Sequence, residues 1–151
     1  MSYITVSDLN KIYITTNREP VNALDDINLE IEEGEFVCIV GPSGCGKSTL
    51  LKILSGLLSI TSGSASLMGK AITGPHSDVG IVFQDPILLP WRTVLNNTLL
   101  PAEIMGLDPK VTHPRAHDLI KLVGLDEFEN VYPSELSGGM RQRNAIIRAL
   151  I

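Results

Sequence analysis

The chain has 151 residues, with 17 acidic and 12 basic side chains and a formal charge of −5. An apolar fraction of 44% against 19% charged excludes a disordered chain and fits one ordinary domain with a real core. The mild acidity, without any run of five basic residues, is a poor match for a nucleic-acid backbone, so no nucleic-acid partner is expected.

Along the chain, Ile4 and Val6 alternate with polar neighbours and predict a strand with one exposed face. The first eight residues lack the basic-then-apolar order of a signal peptide. Residues 17–20 predict a loop. Ile27, Leu29 and Ile31 alternate with Asn28, Glu30 and Glu32, which predicts a second strand with one buried face. Residues 36–40 are apolar without alternation, the pattern of a strand buried on both sides. They are the longest strongly apolar run and fall far short of the about 20 residues that span a bilayer. A glycine loop follows, and then Leu50, Leu51, Leu54, Leu57 and Leu58 at helical spacing.

Residues 64–68 and 79–83 are further strand candidates. Residues 93–105 predict a helix kinked or ended at Pro101. Ala116, Leu119, Ile120 and Val123 predict an amphipathic helix with Thr112 as N-cap and Gly124 as its stop. A last helix starts near Ser137, carries Ala145, Ile146, Ala149 and Leu150 on one side, and reaches Ile151 without a stop signal.

The two cysteines predict no disulfide framework, because Cys38 lies in the apolar run and Cys45 in the glycine loop. The cytosol is the expected compartment, and there the glycosylation pattern Asn96-Asn97-Thr98 is empty. His113 and His117 stand at i, i+4 spacing, but Pro114 intervenes and no third ligand accompanies them, so a solvated helix face is expected rather than a metal site.

The glycine loop carries the clearest chemistry. Gly41, Pro42, Ser43, Gly44, Cys45, Gly46, Lys47, Ser48 and Thr49 fit the phosphate-loop pattern G-x-x-x-x-G-K-[ST]. Glycines let the backbone curl so that successive N–H groups point at phosphate oxygens, and a helix opening at Lys47 adds its positive dipole end. Lys47 reaches the β- and γ-phosphates as a point charge, and the Ser48 hydroxyl is placed to ligate Mg²⁺. The glycines run G-x-x-G-x-G, so the dinucleotide-binding pattern is absent. Cys45 is expected to be a small loop filler without a redox role, and Cys38 to be core packing.

Two further stretches carry a family resemblance. They are Val82-Phe83-Gln84-Asp85-Pro86 with Leu89-Pro90-Trp91, and Leu136-Ser137-Gly138-Gly139-Met140-Arg141-Gln142-Arg143. With the phosphate loop they resemble the ATP-binding subunit of ABC transporters, most closely the importers of nitrate, sulfonate or taurine, with thiamine-precursor and betaine importers next in likeness. The resemblance covers essentially the whole chain.

It implies an α/β P-loop NTPase cassette with an N-terminal antiparallel β subdomain and a helical subdomain carrying the signature. It implies that Tyr13 stacks on adenine, that residues 41–49 hold the triphosphate of ATP, and that Lys47 and Gln84 act in catalysis. Ser48 and Gln84 would hold Mg²⁺. Ser137, Gly138, Gly139 and Gln142 would contact ATP bound to a second ATP-binding subunit, in a homodimer. Residues 84–94 would meet transmembrane permease subunits, with a solute-binding protein engaged indirectly, at the cytoplasmic face of the membrane.

The family's pattern continues past the signature helix with a Walker B aspartate, a glutamate that acts as general base, and a switch histidine. None occurs in these 151 residues, and His76, His113 and His117 all precede the signature. The expectation is therefore a partial cassette domain over residues 1–151, a fragment of a longer ATPase, with a nucleotide-binding module that does not hydrolyse ATP as the alternative. Asn144 stands where the family usually has valine and Ile147 where it has alanine, and a polar Asn144 where packing is expected implies some local rearrangement or a polar partner.

Two other classes remain. In a small P-loop kinase, residues 81–83 would imitate an apolar strand ending at a Mg²⁺-binding Asp85, but Gln84 interrupts that pattern and the signature is left unexplained. A soluble ABC protein of DNA repair or translation would usually carry two cassettes or large insertions, and the importer-like Leu89-Pro90-Trp91 counts against it.

Overall fold

The alternating residues near the N-terminus fold as a long antiparallel hairpin. This computed structural model describes residues 2–151, which form two compact units divided between Val79 and Gly80. In the first, β1 (Ser2–Ile14) pairs with β2 (Pro20–Glu32) in a register that sets Ile4 against Ile31 and Val6 against Leu29. The other edge of β1 takes β3 (Ser62–Leu67), which pairs in turn with β4 (Lys70–Ala71), giving the order β2-β1-β3-β4.

Register shifts interrupt the hairpin around Asp8 and Asp26, which both hold left-handed φ values (49° and 47°). Reciprocal bonds satisfy the displaced backbone: Asp8 N–H donates to Asn28 Oδ1 (2.9 Å) and Asp26 N–H to Asn10 Oδ1 (3.1 Å).

One face of this sheet buries Val6, Leu9, Leu24 and Ala65 against Leu50 and Ile53 of α1 (Lys47–Leu54). The helix is shorter than its leucine pattern predicts. It ends at Leu54, so Leu57 and Leu58 lie beyond it, and Ile53 rather than Leu51 makes the inner contact.

The segments 36–40 and 79–83 do not form the predicted strands. Phe36 is 93% exposed and Val40 88%, so the first is not buried either, and Cys38 is exposed rather than packed in a core. The physical reason is pairing. A strand forms only where a neighbour accepts its N–H and C=O groups, and among the described residues no strand pairs with either segment. The sheet that does form is antiparallel throughout.

The second unit is helical. α2 (Val94–Met105) is capped by Thr93, whose Oγ1 accepts from Asn96 N–H, and ends at Gly106 with φ 66°. It runs through Pro101 without ending there. α3 (Pro109–Leu122) is capped by Asp108, not by Thr112. Thr112 is buried one turn inside the helix, with its hydroxyl donating back to Asp108 O. Gly124, just past the end, takes φ 65°, as a stop should.

α4 (Gly138–Arg148) begins at its predicted cap, Ser137, whose Oγ accepts from Met140 N–H at 3.3 Å. Its inner face differs from the prediction: Asn144, Ala145 and Ile147 are buried while Ile146 is exposed. Val94, Ile120, Leu125, Leu136 and Ile147 form the core of this unit.

Candidate functional site

The phosphate loop is built by its glycines. Gly46 sits at the cap of α1 with φ 96°, which L side chains rarely adopt. A Cβ there would lie 2.5 Å from Ala23 O and 2.7 Å from Leu24 Cδ2, so the loop packs directly on the backbone of β2. Gly44 is also left-handed, at 82°. Gly41 faces Cys45, whose Sγ would lie 2.7 Å from an added Cβ, and Cys45 N–H donates to Pro42 O at 3.4 Å. The loop thus folds back on itself, with the exposed Cys45 side chain set against Gly41.

Lys47 closes the curl. Its Nζ donates to Gly41 O and Pro42 O, both at 2.7 Å, and lies 3.5 Å from Cys45 Sγ. Gly41, Pro42, Ser43, Gly44 and Ser48 are exposed, and Thr49 is half-buried. An ammonium, the N–H groups that open α1 and an accessible hydroxyl therefore stand together in one turn of chain, a donor set suited to a phosphate chain. The Ser48 oxygen is a hard donor of the kind Mg²⁺ takes.

Tyr13 belongs to the same unit and the same end of the hairpin. It pairs with Val21, two residues from the Ala23 on which Gly46 packs, about 7 Å along the strand. Its ring is half-exposed and lies under Lys11 Nζ, 5.3 Å from the centroid, a contact the sequence did not signal. Lys11 is held by Ser59 O at 2.7 Å.

The other candidate residues lie in the second unit. Gln84 is exposed at a bend, with Asp85 beside it. The segment after it presents Ile87 and Trp91, the latter 70% exposed. Asn97 anchors this loop. Its side chain is 0% exposed, with Oδ1 accepting from Leu89 N–H (2.8 Å) and Nδ2 within bonding distance of Leu89 O, Arg92 O and Thr93 O. Neither the glycosylation pattern nor the family resemblance assigns Asn97 this anchoring role. An asparagine among apolar helix positions was the available signal.

Ser137, Gly138 and Gly139 form the exposed first turn of α4, and no atom outside that turn crowds Gly139 within 4 Å. Gln142, half-buried, points away from that turn toward the chain, its Nε2 donating to Phe83 O at 3.3 Å. Asn144 has the polar partner its burial implies: Nδ2 donates to Thr98 Oγ1 (2.8 Å) and to Val94 O (3.2 Å). Among the described residues no group of three His, Cys, Asp or Glu side chains is arranged to hold a metal, and His117 instead pairs with Glu129 at 2.7 Å.

Comparison with known proteins gives one consistent result. The profile of the ABC transporter family matches residues 24–151. An uncharacterized ABC transporter ATP-binding protein of Methanocaldococcus jannaschii is 49% identical over 97% of this chain and 55% of its own. The nitrate import ATP-binding protein NrtD of Synechocystis sp. is 45% identical over 98% of this chain and 55% of its own. The taurine import ATP-binding protein TauB of Rhizobium johnstonii is 48% identical over 86% and 50%. The chain thus spans about half the length of the curated relatives it matches. Among solved structures, the ATP-binding cassette MJ0796, captured as a dimer in a post-hydrolysis state bound to ADP and Pi, superposes with a TM-score of 0.87. That match has 36% identity and covers 97% of this chain and 68% of the other.

Proposed function

Because the chain belongs to the ABC transporter family, we propose that it supplies the ATP-binding, energy-coupling part of an importer whose cargo is a small anion such as nitrate, sulfonate or taurine. The observation that carries this reading is the phosphate loop: a left-handed Gly46 seated on β2 with Lys47 turned into the curl. The cargo class rests on likeness to nitrate and taurine import subunits.

In this reading Lys47 exchanges two neutral carbonyls for charged phosphate oxygens when ATP arrives, a stronger set of hydrogen bonds. The N–H groups of Gly46, Lys47 and Ser48 and the α1 dipole hold the same charge without reorganising. Tyr13 offers an aromatic face to the base. Mg²⁺, when bound, would neutralise charge on the phosphates, and the Ser48 hydroxyl would hold it from this unit.

The exposed Ser137–Gly139 turn opens an eleven-residue helix and forms a second anion site. The proposal assigns this turn to ATP held by a second ATP-binding subunit, the dimer in which MJ0796 was solved. Ile87 and Trp91 are exposed apolar groups suited to contact with a permease subunit, at the cytoplasmic face of the membrane.

Uptake of nitrate, taurine and an alkyl sulfonate by cells carrying the whole transporter tests this function. Lys47→Ala is expected to abolish uptake of one of them, and uptake unchanged by it removes the proposal.

A further inference from the structure

Asn144 is wholly buried on α4 and spends both amide protons on α2, at Thr98 Oγ1 and Val94 O. Its Oδ1 has no hydrogen-bond partner among the described residues. A buried orphan acceptor is destabilising, so an aliphatic side chain would serve packing better. Asn97, next to Thr98 on α2 and equally buried, fastens the loop before the helix through Leu89, Arg92 and Thr93.

Leu89 is thus bonded to Asn97, Asn97 is followed in the chain by Thr98, and Thr98 is bonded to Asn144 on α4, the helix that opens at Ser137. Apolar packing of Ile147 with Val94 also joins α4 to α2, while the other hydrogen bonds from α4 to this region, Gln142 to Phe83 O and Arg148 to Ile87 O, are more accessible, and water competes for them.

We propose that Asn144 is a positioning residue that fixes α4, and with it the Ser137–Gly139 turn, in register with the Leu89–Thr93 loop that displays Trp91. The two exposed surfaces then shift together. Their importance rests on the function proposed above, but the linkage itself needs no nucleotide.

Amide hydrogen exchange in the unliganded chain tests it, with Leu89 and Met140 as reporters at the two ends and Ile120, in the core of α3, as control. Asn144→Leu is expected to speed exchange at Leu89 relative to Ile120 about tenfold, roughly the loss of one net hydrogen bond. Thr98→Val, which removes the acceptor but keeps the shape, should do the same, and Thr98→Ser should restore the wild-type ratio. Equal acceleration at Leu89, Met140 and Ile120 means a purely structural role and overturns the proposal, as does no acceleration at all. If Asn144→Leu fails to fold, the Thr98 pair decides alone. ATP titration of the same samples reports separately on the phosphate loop, so failure of the functional reading is distinguishable from failure of the linkage.

Discussion

Gly46 concentrates the constraints of the site in one residue. It needs a positive φ to open α1, and it needs the absence of a Cβ to sit on Ala23 O and Leu24. Gly46→Ala is expected to cost at least about 2 kcal/mol of stability, from the left-handed backbone and the clash together. It should weaken ATP binding as well, both measured by urea unfolding and nucleotide titration. Unchanged stability would show that the loop does not pack on β2 as described. The lysine and glycines were legible in the sequence because phosphate binding constrains a contiguous stretch. Asn97 bonds within eight residues of itself, but the Asn144 bonds to Thr98 and Val94 were not legible, because they cross from α4 to α2 over as many as 50 residues. Only the implied need for a polar partner at Asn144 was readable, and Thr98 with the Val94 carbonyl fills it.

At the scale of elements, local signals succeeded and non-local ones failed. Helix starts and stops at Thr93, Ser137 and Gly124 are set by bonds within a few residues, so they could be read directly. Thr112 misled because a threonine near the start of a helix bonds backward as readily as it caps, and Asp108 stood better placed. Residues 36–40 show the opposite limit. Their apolar run is a property of sequence, but a ladder needs a neighbour, and none pairs with them. Their amides are therefore expected to exchange with solvent within minutes, while Val6 and Leu29, paired across the hairpin, stay protected. Protection at residues 36–40 equal to that of β1 would contradict this account and imply a pairing partner.

At the scale of the molecule, two units with separate apolar cores predict unfolding that departs from a single two-state transition. The phosphate loop belongs to the first unit, so ATP at about 100 times its Kd should stabilise that unit by about 2.7 kcal/mol and raise its transition. A calorimetric scan in which ATP shifts only the transition of the helical unit would contradict the assignment. The most direct test of the central claim is isothermal titration of the chain with MgATP, wild type beside Lys47→Ala. The account predicts saturable binding at one site per chain, weakened at least about tenfold, or 1.4 kcal/mol, when the Lys47 ammonium is removed. No saturable binding, or binding indifferent to Lys47, would contradict it.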